Sequence, residues 1–153
     1  MSRIHDRLAE LGAELPKVAA PVAAYVPALV SGNLVFTSGQ LPMVDGAMEL
    51  TGKVGAAVSA EEAKALARVC ALNGLAAVES VIGSLDRVTR IVKVVGFVAS
   101  EPDFTGQPGV INGASEFLGE VFGDAGIHAR SAVGVTALPL DSAVEIEFVV
   151  EFE

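Results

Sequence analysis

The sequence predicts an α+β domain in which two long helices cover one face of a mixed β-sheet. Three patterns support this fold class. A capping box, with Ser59 as N-cap and Glu62 three residues later, opens a long stretch of helical spacing that ends at Gly83. The β-branched run Arg90–Val98 indicates a strand, and residues 144–152 alternate between apolar side chains and mostly acidic ones.

Shorter signals place the elements that precede the long helix. Leucine and isoleucine spacing predicts a short amphipathic helix over residues 4–15, which Pro16 ends. Two strands, residues 25–30 and 33–38, form a hairpin. Pro27 cannot donate a ladder hydrogen bond, so we expect the first strand to be bulged or at a sheet edge.

The rest of the chain completes the order helix, ββ, helix, β, helix, ββ. Asp45-Gly46 marks a turn, and the Gly-rich residues 47–58 are expected to form a loop. Residues 110–122 have the spacing of a second long helix, and a strand is predicted over residues 131–137.

Size and composition favour one folded domain over residues 1–153, with residues 1–20 as an N-terminal helical extension. Hydrophobic residues make up 52% of the chain, which excludes a disordered protein. The net charge of −9 opposes binding to phosphate backbones and to anionic membranes. Nucleic acid and membrane are therefore not expected as partners.

Targeting and redox signals point to a soluble cytoplasmic protein. Cys70 is the single cysteine, so no intramolecular disulfide can form. The longest apolar run, Val18–Val30, is interrupted by Pro21 and Pro27 and is too short to span a bilayer. The acidic N-terminal segment does not match a signal peptide.

The common cofactor and catalytic motifs are missing. His5 and His128 are far apart, and the sequence contains no CxxC, HExxH, GxGxxG, Walker or GxSxG pattern. We therefore expect no metal site, and nucleotide binding lacks support. Cys70 lies on the apolar stripe of the long helix, which favours a buried hydrophobic role over a nucleophilic one.

Two charged residues at strand ends are candidates for binding or catalysis. Arg130 directly precedes the predicted strand of residues 131–137. It is either a surface charge or a pocket anchor whose planar guanidinium grips a carboxylate with two hydrogen bonds. Glu145 belongs to the polar side of the last strand, where it is either solvated or functional.

The sequence is compatible with a structural role for each of three other residues, and for two of them also with a role in ligand binding. Gly39, between Ser38 and Gln40, either permits a tight bend or lets a backbone N–H approach a ligand. Tyr25 is the single tyrosine, and its ring is available for packing with the hydroxyl in water. Asn112, near the start of a helix, is either a capping or local hydrogen-bonding residue or a ligand contact.

Three segments resemble the Rid family of reactive intermediate deaminases, also called the YjgF or L-PSP family. They are AYVPALVSGNLVFTSGQLP from Ala24, the strand RIVKVVGFV, and above all ARSAVGVTALPLDSAVEIE from Ala129. The resemblance covers roughly Val22–Glu151, with the helix of residues 4–15 outside it. It implies a chorismate-mutase-like fold, a homotrimer with clefts between subunits, and no cofactor.

The family's activity is implied in the same way. Its members hydrolyse enamines and imines of 2-amino acids to 2-keto acids and ammonia. By position, Arg130 matches the arginine that grips the substrate carboxylate, and Glu145 matches the acid that positions water. The matching pocket positions are Tyr25, Ser38, Gly39 and, with a one-residue shift, Asn112; backbone N–H groups of residues 38–40 are expected to hold substrate or water.

Departures from the family pattern leave other functions open. Ala132 stands where cysteine is frequent, and Gly134 stands where a larger residue is common. A non-catalytic module or sensor that binds small carboxylates is therefore an alternative. An endoribonuclease or translation inhibitor is a second alternative, which the negative charge disfavours.

Overall fold

A five-stranded mixed sheet forms the framework of the computed structural model, which describes residues 2–18, 21 and 24–153. The strands lie in the order β1-β2-β7-β5-β6, and only β5 and β6 run parallel. The sheet strands are β1 (Ala28–Ser31), β2 (Leu34–Thr37), β5 (Val88–Ala99), β6 (Ala129–Val135) and β7 (Val144–Phe152). A separate hairpin pairs β3 (Met43–Val44) with β4 (Ala47–Met48), and the helices are α1 (Arg3–Glu10), α2 (Ala60–Ile82) and α3 (Gln107–Phe122).

The two long helices pack on one face of this sheet, which confirms the predicted fold class. Ser59 accepts a hydrogen bond from the N–H of Glu62 and Glu62 bonds back to Ser59, so the predicted capping box is present. Gly83 adopts the left-handed conformation that ends α2. Midway along α2, Gly74 lies so close to the Phe148 ring of β7 that no side chain would fit between them.

Strand β7 shows why the sequence alternates. Val144, Ile146, Phe148 and Val150 are buried under the helices, while the residues between them are partly exposed on the other face. The predicted two-sided strand is confirmed, with one face in the core and the other free of any helix.

The apolar composition of α2 also has a packing explanation. Among the described residues, α2 is the one helix long and apolar enough to cross a membrane by length and composition alone. Of that apolar stretch, 61% is buried inside the protein, as is usual for a core helix.

Several predicted boundaries were wrong. Helix α1 ends at Glu10 because the chain turns at Gly12, which has a φ of +69°. The segment predicted as a loop after Asp45-Gly46 contains the short strand β4. Helix α3 starts three residues early, since Pro108 suits its first turn.

The position of β6 matters most for the site. Its first residue is Ala129, so Arg130 lies inside the strand and does not precede it. Strand β6 is at one edge of the sheet and β1 at the other, which agrees with the edge position expected from Pro27.

Both ends of the described chain are fixed to one turn, residues 85–87. The carboxylate of Asp86 accepts hydrogen bonds from the N–H groups of Arg3 and Ile4 and from the Ser2 hydroxyl at the start of α1. The other end is held by Glu153, whose N–H donates to the carbonyl of Arg87 and whose carbonyl accepts from the Arg87 guanidinium. Helix α1 is thereby seated with Ile4 and Leu8 in the core.

Candidate active site

Arg130 faces the helix-covered side of the sheet. In the parallel pairing of β5 and β6 it stands opposite Val94, which is fully buried. Since side chains at paired positions point to the same face, the Arg130 side chain turns towards α3. The residue is partly buried there, so the alternative of a free surface charge does not hold.

Only one guanidinium nitrogen of Arg130 is engaged within the chain. Nη1 donates to Oδ1 of Asn112 at 2.7 Å and to Oγ of Ser115 at 3.3 Å. Among the described residues, Nε and Nη2 have no hydrogen-bond partner and no carboxylate forms an ion pair with this side chain. A partly buried cation with a free two-nitrogen edge is suited to bind an anion with two parallel hydrogen bonds.

Asn112 forms a side-chain hydrogen bond within the chain and does not have the predicted capping role. The N-cap of α3 is Gly106, so Asn112 lies in the second turn and caps nothing. Its side-chain oxygen instead holds Arg130. The structure therefore brings these two predicted site residues together.

Two small residues continue the row that Arg130 begins on β6. Ala132 and Gly134 point to the same side because strand side chains alternate. A Cβ at Gly134 would lie 2.7 Å from Nε2 of Gln107 on α3. The amide of Gln107 therefore occupies the space that a larger residue would take.

Glu145 lies on the opposite face of the sheet. It sits between the buried Val144 and Ile146 and pairs in register with Phe97 of β5. Its side chain lies over Gly39, where an added Cβ would be 2.7 Å from Oε1 and Cδ of the carboxyl group. Glu145 and Gly39 are thus a second pair of predicted site residues in direct contact.

Burial raises the pKa of the Glu145 carboxyl, and the nearby charge of Glu147 raises that pKa further. The Glu145 carboxyl group therefore keeps its proton up to a higher pH than an ordinary glutamate does. A half-buried carboxylate with a raised pKa is a stronger base near neutral pH than an exposed one.

Backbone pairing fixes the loop that carries Gly39. Gln40 exchanges two backbone hydrogen bonds with Ile146, of 2.8 and 3.1 Å, so residues 38–40 run beside the start of β7. The Ser38 hydroxyl donates to the carbonyl of Val26 at 2.6 Å, and the buried Gln40 amide donates to the carbonyl of Ser38 at 3.3 Å. Both side chains stabilise the loop within the chain.

Tyr25 stands apart from these contacts. Its side chain is 45% exposed in the single chain, ahead of the segment that Ser38 holds. This exposure agrees with the prediction that the Tyr25 hydroxyl lies in water. Among the described residues, no hydrogen bond links Tyr25 to Arg130 or Glu145.

A single chain does not bring Arg130 and Glu145 together. Strand β5 separates their strands, which sets them roughly 10 Å apart across the sheet. Their register partners on β5, Val94 and Phe97, add three residues or roughly 10 Å along it. The two side chains also point to opposite faces.

Among the described residues, no helix covers the face that carries Glu145. Large apolar side chains are exposed on it across several strands, with Leu29 at 51%, Phe36 at 40% and Val133 at 43%. Paired strands set Leu29 beside Phe36, and Phe36 beside Val149. An apolar sheet face of this extent is typical of a surface that another protein layer covers.

Two further polar residues, which sequence reasoning did not select, extend the hydrogen-bonded group around Arg130: Ser115 contacts Arg130 directly, and His128 contacts Ser115. Ser115 Oγ lies 2.9 Å from Nε2 of His128, and Nδ1 of His128 lies 2.6 Å from the carbonyl oxygen of Gly126. The available signal was the position of His128, two residues before Arg130, since residues two apart on an extended strand share a face.

Cys70 is a buried residue of the core and not an exposed thiol. Cys70 is fully buried, and burial, followed by the charge of Glu145, raises the pKa of its thiol well above the usual value. Within residues 2–18, 21 and 24–153, no group of three or more His, Cys, Asp or Glu side chains could hold a metal ion.

Comparison with known proteins identifies the family that shares this fold. The family model described as "YjgF/chorismate_mutase-like, putative endoribonuclease" matches residues 5–152. The chain belongs to the YjgF/Rid family. The match includes most of α1, a segment that the sequence resemblance had left outside the family region.

Known relatives differ in their sequence identity to this chain. Protein TCP17 of Trypanosoma cruzi is 45% identical over 97% of this chain and 94% of its own length. The 2-iminobutanoate/2-iminopropanoate deaminase of Escherichia coli K12 is 34% identical over 84% of this chain and 87% of its own. A crystal structure of a protein of unknown function from Agrobacterium tumefaciens has 46% identity, a TM-score of 0.93, and coverage of 99% of this chain and 93% of its own.

Proposed function

We propose that this YjgF/Rid family member hydrolyses imines and enamines of 2-amino acids to 2-keto acids and ammonia. The observation that carries the proposal is the guanidinium of Arg130, which is partly buried, lacks an acidic partner among the described residues and has its Nε–Nη2 edge free. The E. coli relative named as an iminobutanoate deaminase supports the same reaction.

Arg130 would bind the carboxylate that every 2-imino acid carries. A planar fork fixes the position and the plane of the carboxylate, so the adjacent imine carbon is held in one orientation. The substrate is already reactive, and orientation supplies much of what the reaction requires.

Glu145 would act as the base that activates water. Its carboxylate accepts a proton from water while the water oxygen adds to the imine carbon, and the C–N bond of the resulting carbinolamine then breaks. Glu145 first returns its proton to the nitrogen, which completes the carbinolamine. As the C–N bond breaks, the carboxylate takes the hydroxyl proton and passes it to the nitrogen, so ammonia leaves and the carbon keeps the oxygen as a keto group. The raised pKa of Glu145 suits it to accept and return that proton.

The reaction needs a second chain, because one chain keeps Arg130 and Glu145 on opposite faces of the sheet. We propose a homotrimer in which the open apolar face of one subunit packs beside the β6 edge of the next. Such packing would bury Leu29, Phe36 and Val133 and set Glu145 of one subunit near Arg130 of its neighbour.

Turnover of 2-aminoacrylate, generated enzymatically in the assay, tests the proposal. Arg130→Ala is expected to lower kcat/KM by roughly tenfold to a hundredfold, because hydrogen bonds to a charged group are lost. Replacement of the exposed Arg3 on α1, away from the open sheet face, is the matched control and should leave the rate unchanged. Equal rates for wild type and Arg130→Ala would refute the assignment.

Two other outcomes would favour the alternative functions. Tight calorimetric binding of a 2-keto acid without turnover of any imino acid would indicate a carboxylate-binding or sensor protein. The endoribonuclease named in the family description is disfavoured because a net charge of −9 repels RNA. RNA cleavage by a nuclease-free sample, lost on a point mutation, would reverse that ranking.

A further inference from the structure

Ser115 and His128 flank Arg130 and have no part in the reaction described above. We propose that they are a positioning pair, which holds the guanidinium so that its Nε–Nη2 edge faces the ligand carboxylate. The inference rests on the proposed function, since it assigns these residues to the same site.

The hydrogen-bond partners fix the direction of each bond in this group. The Gly126 carbonyl only accepts, so Nδ1 of His128 carries the proton that donates to it at 2.6 Å. In the neutral imidazole, Nε2 is then an acceptor, and the Ser115 hydroxyl donates to it at 2.9 Å. The hydroxyl hydrogen therefore points away from Arg130.

This direction leaves the Ser115 oxygen free to accept from Arg130. Nη1 of Arg130 lies 3.3 Å from that oxygen and 2.7 Å from Oδ1 of Asn112. Two acceptors at one nitrogen oppose rotation of the guanidinium about the bond that joins it to the side chain. With the Asn112 contact alone, the plane of the fork would be less restricted.

A guanidinium that is already held in place loses less conformational entropy when the carboxylate binds. Arginine has a long flexible side chain, and its free edge binds a carboxylate well only when both nitrogens point at both oxygens. Two elements carry the residues that hold the guanidinium: Ser115 lies on α3, and His128 lies just before β6. The expected effect is on affinity, because a bound carboxylate itself orders the fork, so the imine carbon is oriented as in wild type once the ligand is bound.

Kinetics with four variants tests the pair. Ser115→Ala and His128→Phe are each expected to raise KM roughly fivefold to tenfold while kcat stays within about twofold of wild type. Ser115→Thr retains a hydroxyl and should restore KM. His5→Phe is a matched control, because His5 bonds Glu79 on another surface.

A second serine provides a control for helix stability. Ser80 on α2 donates to the carbonyl of Ala77, far from β6 in the sequence, and Ser80→Ala should leave KM unchanged. Thermal unfolding of all variants shows whether each one is folded. A rise in KM for Ser80→Ala equal to that for Ser115→Ala would contradict the pair.

Side-chain NMR tests the pair without any ligand. In the free protein, the Nη signals of Arg130 should be separate because rotation is slow, and they should merge in Ser115→Ala but not in Ser115→Thr. Long-range proton–nitrogen spectra should show the His128 proton on Nδ1. A proton on Nε2 instead, or freely rotating Nη groups in wild type, would overturn the inference.

These results separate the two claims. If Arg130→Ala loses activity while Ser115→Ala and His128→Phe match wild type, the positioning pair is refuted and the proposed function stands. If Arg130→Ala has wild-type activity, the proposed function is refuted, and the NMR signals of Arg130 alone decide whether Ser115 and His128 hold it.

Discussion

The carboxyl group of Glu145 lies directly over Gly39, so close that a methyl group on Gly39 would be 2.7 Å from Oε1. The backbone pairing of Gln40 with Ile146 fixes this approach. The lack of a side chain at Gly39 therefore leaves the space that the Glu145 carboxyl group, the proposed base, occupies.

Gly39→Ala is expected to reduce turnover while changing stability little. The new methyl group would meet the mobile end of the Glu145 side chain, which can move aside at low cost. A displacement of about 1 Å of a reacting group can cost up to roughly a hundredfold in rate. Measurement of kcat together with Tm checks this; a large loss of Tm with unchanged kcat would show that Gly39 serves the fold alone.

Arg130→Lys is expected to bind 2-keto acids at least about tenfold more weakly than wild type, because an ammonium group cannot form the planar fork. Its Tm should hardly change, since Arg130 has no acidic partner among the described residues. Arg87→Ala is the contrasting variant: it removes bonds to Ile82 and Glu153, so it should lower Tm and leave the affinity intact. Calorimetry that gave the same affinity for lysine and arginine at position 130 would argue against a bidentate contact.

The pH dependence of kcat/KM should report the raised pKa of Glu145. The base must be ionised, so activity rises with pH through that pKa, and the acid limb should lie above the ordinary glutamate value of about 4.3. Glu147→Gln removes one cause of the raised pKa and should shift the limb to lower pH. A limb that does not move in Glu147→Gln would mean that another group controls it.

Asp86 is expected to stabilise the fold above its pKa and not below it. Hydrogen bonds from the Ile4 N–H, then from Ser2 and Arg3, lower the pKa of Asp86 in the folded chain despite some desolvation. Its contribution is therefore present above the unfolded value of about 3.9 and is lost as pH falls through the folded pKa.

Asp86→Ala should lower Tm at neutral pH by roughly 2–5 °C, because the start of α1 loses its acceptors. The exposed Asp103 provides the control substitution, since replacing it should leave Tm unchanged. If Tm differed between wild type and Asp86→Ala by the same amount at pH 7 and at pH 2, the ionised carboxylate would not be the cause.

Association through the open sheet face can be measured directly. Light scattering should give a mass near three times 15.6 kDa for wild type. Phe36→Glu places a charge on the apolar face and should yield single chains without deaminase activity. An active monomer in either sample would refute a site shared between subunits.

The elements with strong local signals were predictable from the sequence. The capping box at Ser59 and the alternation of β7 depend on neighbours in the chain, and both were confirmed. The start of β6 was not, because it depends on pairing with the distant strand β5. The end of α1 was misplaced because Pro16 was read as the stop signal, whereas the chain already turns at Gly12.

The candidate site was predictable by residue type but not by arrangement. Motif resemblance selected Arg130, Asn112, Gly39 and Glu145, and the structure places the first two and the last two in contact. The separation of these pairs on opposite faces depends on the strand order, which no local pattern encodes. Ser115 escaped notice because only the packing of α3 against β6 brings it to His128 and Arg130.

The turn at Asp86 and Arg87 receives residues 2–4 from one side and Glu153 from the other, so the two extremities of the described chain are neighbours in space. A few added residues would suffice to join them covalently. New ends could then be opened at the exposed Asp45-Gly46 turn, giving a circular permutant in which the sheet order is unchanged.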